Sequence, residues 1–191
     1  MMMQDTTDTA QIERYLRGDI GALGELVERY RRPLFGFIFR MVRRQEDAEE
    51  VFQEVWLKAI RNLSRYRSNR FLSWLFRIAH NTIIDRARRQ KPEVHFDDQE
   101  TSDRLAFHAS GSSTPAPVAN LQEQDMHQHI QSAVAQLPAE QREVFLMRME
   151  AELPFKEIAR IQKTSINTAL ARMSYALEKL RRALAEDYSQ L

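Results

Sequence analysis

The spacing of apolar residues constrains the fold of this chain more than any other feature. From Ile12 onward, apolar side chains recur every three or four positions, which places them along one face of an α-helix. The alternation typical of strands does not persist, and only five glycines occur among 191 residues. The hydrophobic fraction of 43% is sufficient for a packed core. The sequence therefore predicts an all-α protein.

The helical pattern stops over one long stretch, which contains GSSTPAPVAN and acidic residues without periodicity. Such a composition is typical of flexible linkers. We therefore predict two small helical domains, at residues 11–91 and 126–186, joined by an acidic linker at 92–125. Residues 1–10 are polar after the methionines, and we expect them to be disordered. Within the first helical stretch, Pro33 predicts a kink or a short break.

The stretch from Arg61 to Lys91 combines positive charge with aromatic residues, holding nine Arg or Lys and one acidic residue. A helix beginning near Phe71 would be apolar on the side that carries Leu72, Leu75, Phe76, Ala79 and Ile83. Its opposite side would carry Arg70, Trp74, Arg77, Asn81 and Arg88. Because guanidinium groups neutralise phosphates and aromatic rings stack on unpaired bases, this face suits a nucleic acid with unstacked bases. The alternative is a buried Trp74 beside solvated arginines.

A second strong helix is predicted from Glu46 to Leu63. Its core stripe consists of Phe52, Val55, Trp56, Ala59, Ile60 and Leu63. Its acidic ridge has residues four apart and ends at a lysine: Glu46, Glu50, Glu54 and Lys58. An isolated ridge of this kind is usually a solvated face. Beside a basic, aromatic helix, it indicates a separate surface for a protein partner.

The last third has the pattern of a helix-turn-helix. Pro138 and Pro154 each precede an apolar helical run, and Thr164 or Ser165 can cap the final helix. We expect this helix to bury an apolar stripe of Ile166, Ala169, Leu170, Met173, Ala176, Leu177, Leu180 and Leu184. Its exposed face would carry Thr168, Arg172, Tyr175, Lys179 and Arg182. Such a helix can enter a DNA major groove, although an αα-hairpin without a ligand has the same pattern.

The composition argues against several classes of function. The formal charge is only +1, yet two basic blocks are separated by an acidic one, and local patches matter more to a polyanion than the total. The chain has no cysteine, and four of its five histidines lie at or near the linker, so we predict no metal site and no cofactor. No nucleophile with a base partner is visible, so we predict no enzymatic activity. No signal peptide or membrane-spanning run is present, which predicts a cytoplasmic protein without membrane insertion.

Taken together, these stretches resemble the extracytoplasmic-function group of sigma-70 family transcription initiation factors. LVERYRRPLFGFIFRMV is similar to the first helices of sigma region 2, and EDAEEVFQEVWLKAIRNL to its polymerase-binding segment. FLSWLFRIAHNTIIDRARR is similar to the promoter-melting helix. LPAEQREVFLMRMEAELPFKEIARI is similar to the opening of region 4. The resemblance covers roughly residues 12–90 and 125–185, in the family's order.

The resemblance implies a protein that binds core RNA polymerase and promoter DNA, and it implies an anti-sigma factor as a further partner. The polymerase would be bound by Glu46, Asp47, Glu50, Gln53, Glu54 and Lys58. Region 2 would melt the minus-ten element and hold its non-template strand through Arg67, Asn69, Arg70, Trp74, Arg77, Asn81 and Arg88. Region 4 would read the minus-thirty-five element through Ser165, Asn167, Thr168, Arg172 and Tyr175.

The sequence departs from the family pattern in two places. The loop YRSNRF is one residue shorter than usual and lacks the typical glycine. The final helix has Asn167, Leu170 and Tyr175 where the family often has glycine, lysine and arginine. Fewer basic residues predict weaker, less salt-dependent DNA binding by region 4. Either the promoter element differs, or region 4 serves partly as a polymerase anchor or as the target of a regulator.

Two other classes of protein remain as alternatives. One is a helix-turn-helix DNA-binding regulator that acts independently of polymerase, which leaves the acidic ridge and the Trp74 face unexplained. The other is a degenerate sigma-like protein-interaction module, which weak duplex binding by region 4 would favour.

Overall fold

The structure is a computed structural model that describes residues 2–67, 70–90 and 121–188, with side chains described for 7–67, 70–89 and 128–185. Within those ranges the regular structure is entirely helical, as the apolar spacing predicts. The N-terminal helices are α1 (Met2–Leu16), α2 (Ile20–Val42), α3 (Gln45–Asn62), a 3₁₀ turn (Leu63–Arg65) and α4 (Phe71–Gln90). The C-terminal helices are α5 (Leu121–Gln136), α6 (Ala139–Met149), α7 (Phe155–Ile161) and α8 (Ile166–Tyr188).

The prediction that residues 1–10 are disordered is wrong, because α1 begins at Met2. Asp8 is 2% exposed and accepts hydrogen bonds from Arg29 Nη1 at 2.6 Å and from the Tyr30 hydroxyl. Burial, followed by the hydrogen bond to Asp8, raises the pKa of Tyr30, which therefore stays a neutral donor. Ile12 adds a buried apolar contact. The buried carboxylate of Asp8 is thus satisfied by α2 instead of by solvent.

α2 is continuous through Pro33, so the short break expected there does not occur. The proline lacks the N–H that would bond one turn back, but the apolar face on both sides of it is buried. Asp19 caps the start of the helix, where its Oδ1 accepts from the Ala22 N–H at 3.3 Å, and Arg43 caps the end in the left-handed conformation, with φ of 66°.

α2, α3 and α4 bury their apolar stripes against one another. α3 begins and ends within one residue of the prediction, and α4 begins at Phe71 as expected. Aromatic residues of the three helices meet in the interior: the Phe37 and Phe76 ring centroids lie 4.8 Å apart, and those of Trp56 and Phe71 lie 6.3 Å apart. This packing fixes which face of α4 remains at the surface.

In the C-terminal group, α6 and α7 begin directly after Pro138 and Pro154. Ser165 caps α8 by accepting the Thr168 N–H at 3.0 Å, which selects one of the two predicted capping residues. α5 begins at Leu121, inside the range expected to be linker. The apolar stripe of α8 is only partly buried. Ala169, Met173, Ala176 and Leu180 are buried, whereas Ile166, Leu170 and Leu177 are exposed.

Candidate nucleic-acid and polymerase interfaces

The two sides of α4 are divided as predicted. Leu75, Phe76, Ala79 and Ile83 are buried, while Leu72 is half-buried. On the opposite side Arg70, Arg77, Asn81 and Arg88 are exposed, and Trp74 is half-buried. The helix therefore presents a row of hydrogen-bonding and cationic groups around one aromatic ring.

A groove of about 400 Å³ lies between this face and α3. Its lining includes three residues of the predicted DNA-binding set, Trp74, Arg77 and Asn81, and also Arg65 and Tyr66, which sequence reasoning did not single out. The rings of Tyr66 and Trp74 have centroids 5.1 Å apart at an interplanar angle of 50°. The two rings therefore pack against each other, and a groove lined by aromatic rings, arginine and asparagine can stack an unpaired base against the rings. The remaining lining residues are Lys58, Asn62, Ile78 and Thr82.

Tyr66 reaches the groove because of the 3₁₀ turn Leu63–Arg65. Its N–H bonds to the Leu63 carbonyl at 3.1 Å, and its ring packs edge-on against Phe71 at 5.4 Å. The ring centroids of Phe71 and Trp74 lie 5.5 Å apart, so the buried ring of Phe71 packs against both Tyr66 and Trp74. The alternation of tyrosine and arginine in RYRSNR was the available signal for this position.

The other loop residues of the predicted DNA-binding set have separate locations. Arg67 Nη1 donates to the carbonyls of Ser64 at 2.7 Å and Tyr66 at 2.9 Å, so it shapes the loop. Arg70 donates to Glu157 of α7 at 3.0 Å. Asn69 lies outside the described residues.

The acidic ridge lies on the exposed side of α3, with side chains 83% exposed at Glu46, 65% at Glu50 and 40% at Glu54. Gln53 is exposed between them. An arginine that the sequence analysis did not identify, Arg86 of α4, donates to Asp47 at 2.8 Å and to Glu50 at 2.6 Å.

Two contacts therefore join the ridge to α4. The hydrogen bond to Glu50 is the main reason that the pKa of Arg86 is raised, and the guanidinium stays charged. Lys58 Nζ contacts Glu54 at 2.8 Å and Thr82 Oγ1 of α4 at 3.0 Å. The ridge and the nucleic-acid face consequently share α4 as a common support.

The residues of α8 that are predicted to contact DNA differ in their exposure and in their partners within the protein. Asn167 and Tyr175 are exposed. Ser165 and Thr168 bond to each other at the helix cap, Oγ to Oγ1 at 2.8 Å. Arg172 is held by the carboxylate of Glu140 and by Gln162 Oε1 at 2.9 Å, and its side chain is 21% exposed.

Within the described ranges, no cluster of three or more His, Asp or Glu side chains is arranged to hold a metal ion. Among the same residues, no helix combines the length and the apolar character that crossing a bilayer requires.

Comparison with known proteins agrees with this arrangement. Family models for Sigma-70 region 2 and Sigma-70, region 4 match residues 26–93 and 127–180. The chain is 29% identical over 182 residues to the ECF RNA polymerase sigma factor SigW of Bacillus subtilis, covering 92% of this chain and 96% of that protein. It is 30% identical over 176 residues to the RNA polymerase sigma factor CarQ of Myxococcus xanthus, again covering 92% and 96%.

Two solved structures share the fold. One is the sigma factor RpoE from Bartonella quintana, in complex with the anti-sigma factor NepR, with a TM-score of 0.68, 22% identity and coverage of 87% of this chain and 98% of that one. The other is CnrH in complex with the cytosolic domain of CnrY, with a TM-score of 0.66, 20% identity and coverage of 95% and 99%.

The two family matches fall on the two helical groups, with region 2 on α2–α4 and region 4 on α5–α8. The chain belongs to the extracytoplasmic-function group of the sigma-70 family. It is a sigma factor that binds core RNA polymerase and promoter DNA and directs promoter-specific transcription initiation.

Proposed function

We propose that region 2 opens the minus-ten element by drawing a base of the non-template strand into the groove lined by Tyr66 and Trp74. The observation that carries the proposal is this pair of packed rings, with centroids 5.1 Å apart, in a groove that Arg77 and Asn81 also line. Stacking on aromatic side chains stabilises an unpaired base by about 1–3 kcal/mol. Asn81 can hydrogen-bond a base edge, and Arg77 can neutralise the adjoining phosphate. Strand separation then follows from preferential binding of the unpaired state.

Region 4 reads the minus-thirty-five element through the N-terminal part of α8, with Asn167 as its main exposed polar group. The support is its position in the first turn of a capped helix that follows a short turn after α7, which is how helix-turn-helix proteins present base-reading residues. Arg172 contacts Glu140 and Gln162 in the same region, so it positions the helix and contributes little charge to DNA.

The exposed ridge of α3 docks on core polymerase through Glu46, Gln53 and Glu54. Asp47 and Glu50 take part while Arg86 orients them, because its guanidinium bridges both carboxylates. The protein performs no chemistry of its own, since its contribution to initiation is binding energy. It acts in the cytoplasm, where the polymerase is.

An anti-sigma factor is a further proposed partner. The supporting observation is that the two similar structures are complexes with the anti-sigma factor NepR and with the cytosolic domain of CnrY. Purification of the chain from its own cells under non-inducing conditions tests this proposal. If polymerase subunits are the sole stable partners under every growth condition, the proposal is wrong.

The two surfaces of region 2 can be separated by mutation. We expect Trp74→Ala with Arg77→Ala to abolish open complexes, a loss of at least ~100-fold, while co-elution with core polymerase is unchanged. Glu50→Lys with Glu54→Lys should weaken co-elution first, because both changes reverse charge on the docking ridge. Permanganate reactivity of promoter thymines reports opening, and gel filtration reports association.

Matched controls are available for each variant. Arg61→Ala removes an exposed arginine of α3 that does not line the groove, and Glu49→Lys reverses an exposed charge outside the predicted docking set. The single variant Trp74→Phe, with Arg77 unchanged, keeps an aromatic ring in the groove and should open the promoter. Simultaneous loss of opening and polymerase association in the Trp74 variant, with circular dichroism unchanged, would contradict the assignment of this face to DNA.

A further inference from the structure

A second cleft, of about 690 Å³, lies between α2 and the helices α5 and α6. The charged side chains in its lining are all cationic: Arg40 of α2, Arg43 directly after α2, and Arg142 of α6. In the described part of the chain, no aspartate or glutamate is among the lining residues. The volume is typical of sites for small molecules. We call this site the arginine cleft.

Two of the three arginines lack a counter-charge. Arg40 Nη1 lies 2.5 Å from Glu150 Oε1. Among the described residues, Arg43 and Arg142 form no ion pair, and the Nε atoms of both are buried and donate to no acceptor. Arg142 Nη1 donates to the Ala135 carbonyl at 2.9 Å, an acceptor that carries no net charge. The positive charges of Arg43 and Arg142 are therefore not balanced within the cleft.

The surroundings of Arg142 disfavour its charge. The residue is 3% exposed. Burial, and next the like charge of Arg43, lower the pKa of Arg142 to about 10, so that it is still cationic near neutral pH. Glu143 opposes this shift, but its carboxylate is already engaged by His80 Nδ1 and by Gln162 Nε2, each at 2.6 Å. Because buried charges are normally paired, Arg43 and Arg142 together favour a bound anion.

The chemistry of these two arginines selects the kind of anion. Two guanidinium charges are balanced by one dianion, and a phosphate monoester carries a charge of about −1.5 to −2 at neutral pH. Its oxygens can accept from paired N–H groups of a guanidinium, so one phosphate can bridge two arginines. A single carboxylate would leave one positive charge unbalanced. A phosphate group therefore fits Arg43 and Arg142 best.

The remaining lining of the cleft indicates that the phosphate belongs to an organic molecule. The half-buried rings of Phe35 and Phe39 both line the cleft, and they lie nearly parallel, with centroids 6.4 Å apart and an interplanar angle of 11°. Gln131 and Ser132 of α5 add an amide and a hydroxyl group. Inorganic phosphate would leave the aromatic rings in contact with water, whereas an aromatic body would cover them.

We propose that the arginine cleft binds a small organic phosphate, a phosphate monoester with an aromatic body. Its phosphate bridges Arg43 and Arg142, and its ring packs on Phe35 and Phe39. Because the phosphate contacts groups of both α6 and the end of α2, the bound molecule stabilises the folded chain by an amount that grows with its concentration. The lining contains none of the residues assigned to promoter DNA or to polymerase, so the proposal does not depend on those assignments.

Calorimetric titration of the full chain with phenyl phosphate, in a buffer free of phosphate and sulfate, tests the proposal. We expect a dissociation constant at least about tenfold lower than that for inorganic phosphate, because only phenyl phosphate covers the aromatic rings. Phenol has the ring without the phosphate and should bind far more weakly than phenyl phosphate. If inorganic phosphate bound as tightly as phenyl phosphate, the assignment of an organic ligand would be wrong. Absence of phenyl phosphate binding would overturn the site altogether.

Substitutions show where the phosphate binds. Arg43→Gln and Arg142→Gln should each weaken the binding of phenyl phosphate at least about tenfold, because each removes charge-assisted hydrogen bonds. Arg43→Lys keeps the charge and should lose less affinity than Arg43→Gln. Arg32→Gln is the matched control, since Arg32 is an exposed residue of α2 that does not line the cleft. An equal loss for the control would mean that the ligand responds to overall charge alone, and the proposal would be wrong.

Thermal unfolding separates loss of the site from loss of the fold. Arg43→Gln removes the like charge beside Arg142, so the unfolding temperature without ligand should not fall. Phenyl phosphate should raise the unfolding temperature of the wild type and leave that of Arg43→Gln unchanged. An equal rise in both proteins would overturn the proposal. If binding is lost in Trp74→Ala with Arg77→Ala and kept in Arg43→Gln, the ligand occupies the groove of region 2 and the proposal is likewise wrong.

Discussion

Regions 2 and 4 differ in which side chains of their DNA-facing helices are exposed. On α4 of region 2, Arg77 and Arg88 are exposed, Arg77 lines an aromatic groove, and the apolar side is largely buried. On α8 of region 4, the first basic residue, Arg172, is bound to Glu140 and Gln162, while Ile166 and Leu170 are exposed. Charge that is already neutralised within the protein releases few counterions from DNA. We therefore expect region 2 to supply most of the binding energy at the promoter.

We expect the largest effect from replacing Tyr66, the second aromatic residue that lines the groove. Tyr66→Ala removes a stacking surface worth about 1–3 kcal/mol, so open-complex formation should fall roughly ten- to a hundredfold. Tyr66→Phe keeps the ring and should retain most of the activity. Permanganate footprinting at equal occupancy of polymerase measures the change. If the alanine variant opens promoters normally, the base is held elsewhere. The groove would then give no reason to expect that region 2 contributes more to promoter binding than region 4.

The salt dependence of promoter binding should separate the two regions next. Removing one cation that neutralises a phosphate of a single strand lowers the slope of log K against log salt by about 0.7. We expect Arg77→Ala and Arg88→Ala each to approach that change, and Arg172→Ala to change the slope by much less. Holoenzyme binding to a labelled promoter at several salt concentrations gives the slopes. If Arg172→Ala lowered the slope as much as Arg77→Ala does, the ion pair between Arg172 and Glu140 would have to break when DNA binds.

The sequence predicted the elements of both regions better than their contacts. α4 and its two faces follow from apolar spacing, because Leu75, Phe76 and Ala79 must share one side of a helix. The position of Tyr66 could not be predicted in the same way, since it depends on a 3₁₀ turn and on packing against Phe71. Local periodicity carries no information about such tertiary contacts.

Distant polar partners limit what the sequence predicts at two places. Residues 1–10 were expected to be disordered because they are polar after the methionines, yet Asp8 finds its donors on α2, more than 20 residues along the chain. Arg172 lies on the polar side of α8 and stays a predicted DNA contact, but Glu140, 32 residues earlier, also holds it in the structure. A polar side chain can be satisfied by a distant partner as well as by solvent or ligand, and one sequence does not distinguish these cases.

A gain of function at region 4 would sharpen the comparison. Leu170 is exposed on α8 at a position where the family often has lysine, so Leu170→Lys should add an interaction with a phosphate. We expect holoenzyme affinity for a duplex with the minus-thirty-five element to rise roughly two- to fivefold at low salt. Leu177→Lys is the matched control, since this residue is equally exposed but lies two turns further along the helix. An equal gain from the control would mean that added charge alone, and not its place on α8, strengthens binding.

The smallest effect concerns the helix caps, which differ in chemistry between the regions. Ser165 caps α8 with a hydroxyl, and Ser165→Ala should destabilise that helix by about 1 kcal/mol at any pH. Asp19 caps α2 with a carboxylate, whose pKa is held below its ordinary value of 3.8 mainly by the hydrogen bond from Arg14.

Because the folded pKa of Asp19 is depressed, its contribution is present above the unfolded value and is lost as the pH falls through the folded one. The penalty of Asp19→Ala should therefore shrink in acid, whereas that of Ser165→Ala should stay constant. Amide hydrogen exchange in α2 and α8, followed from about pH 6 to about pH 2.5, measures both penalties. A constant penalty for Asp19→Ala would show that its charge is unimportant and that the two caps are equivalent.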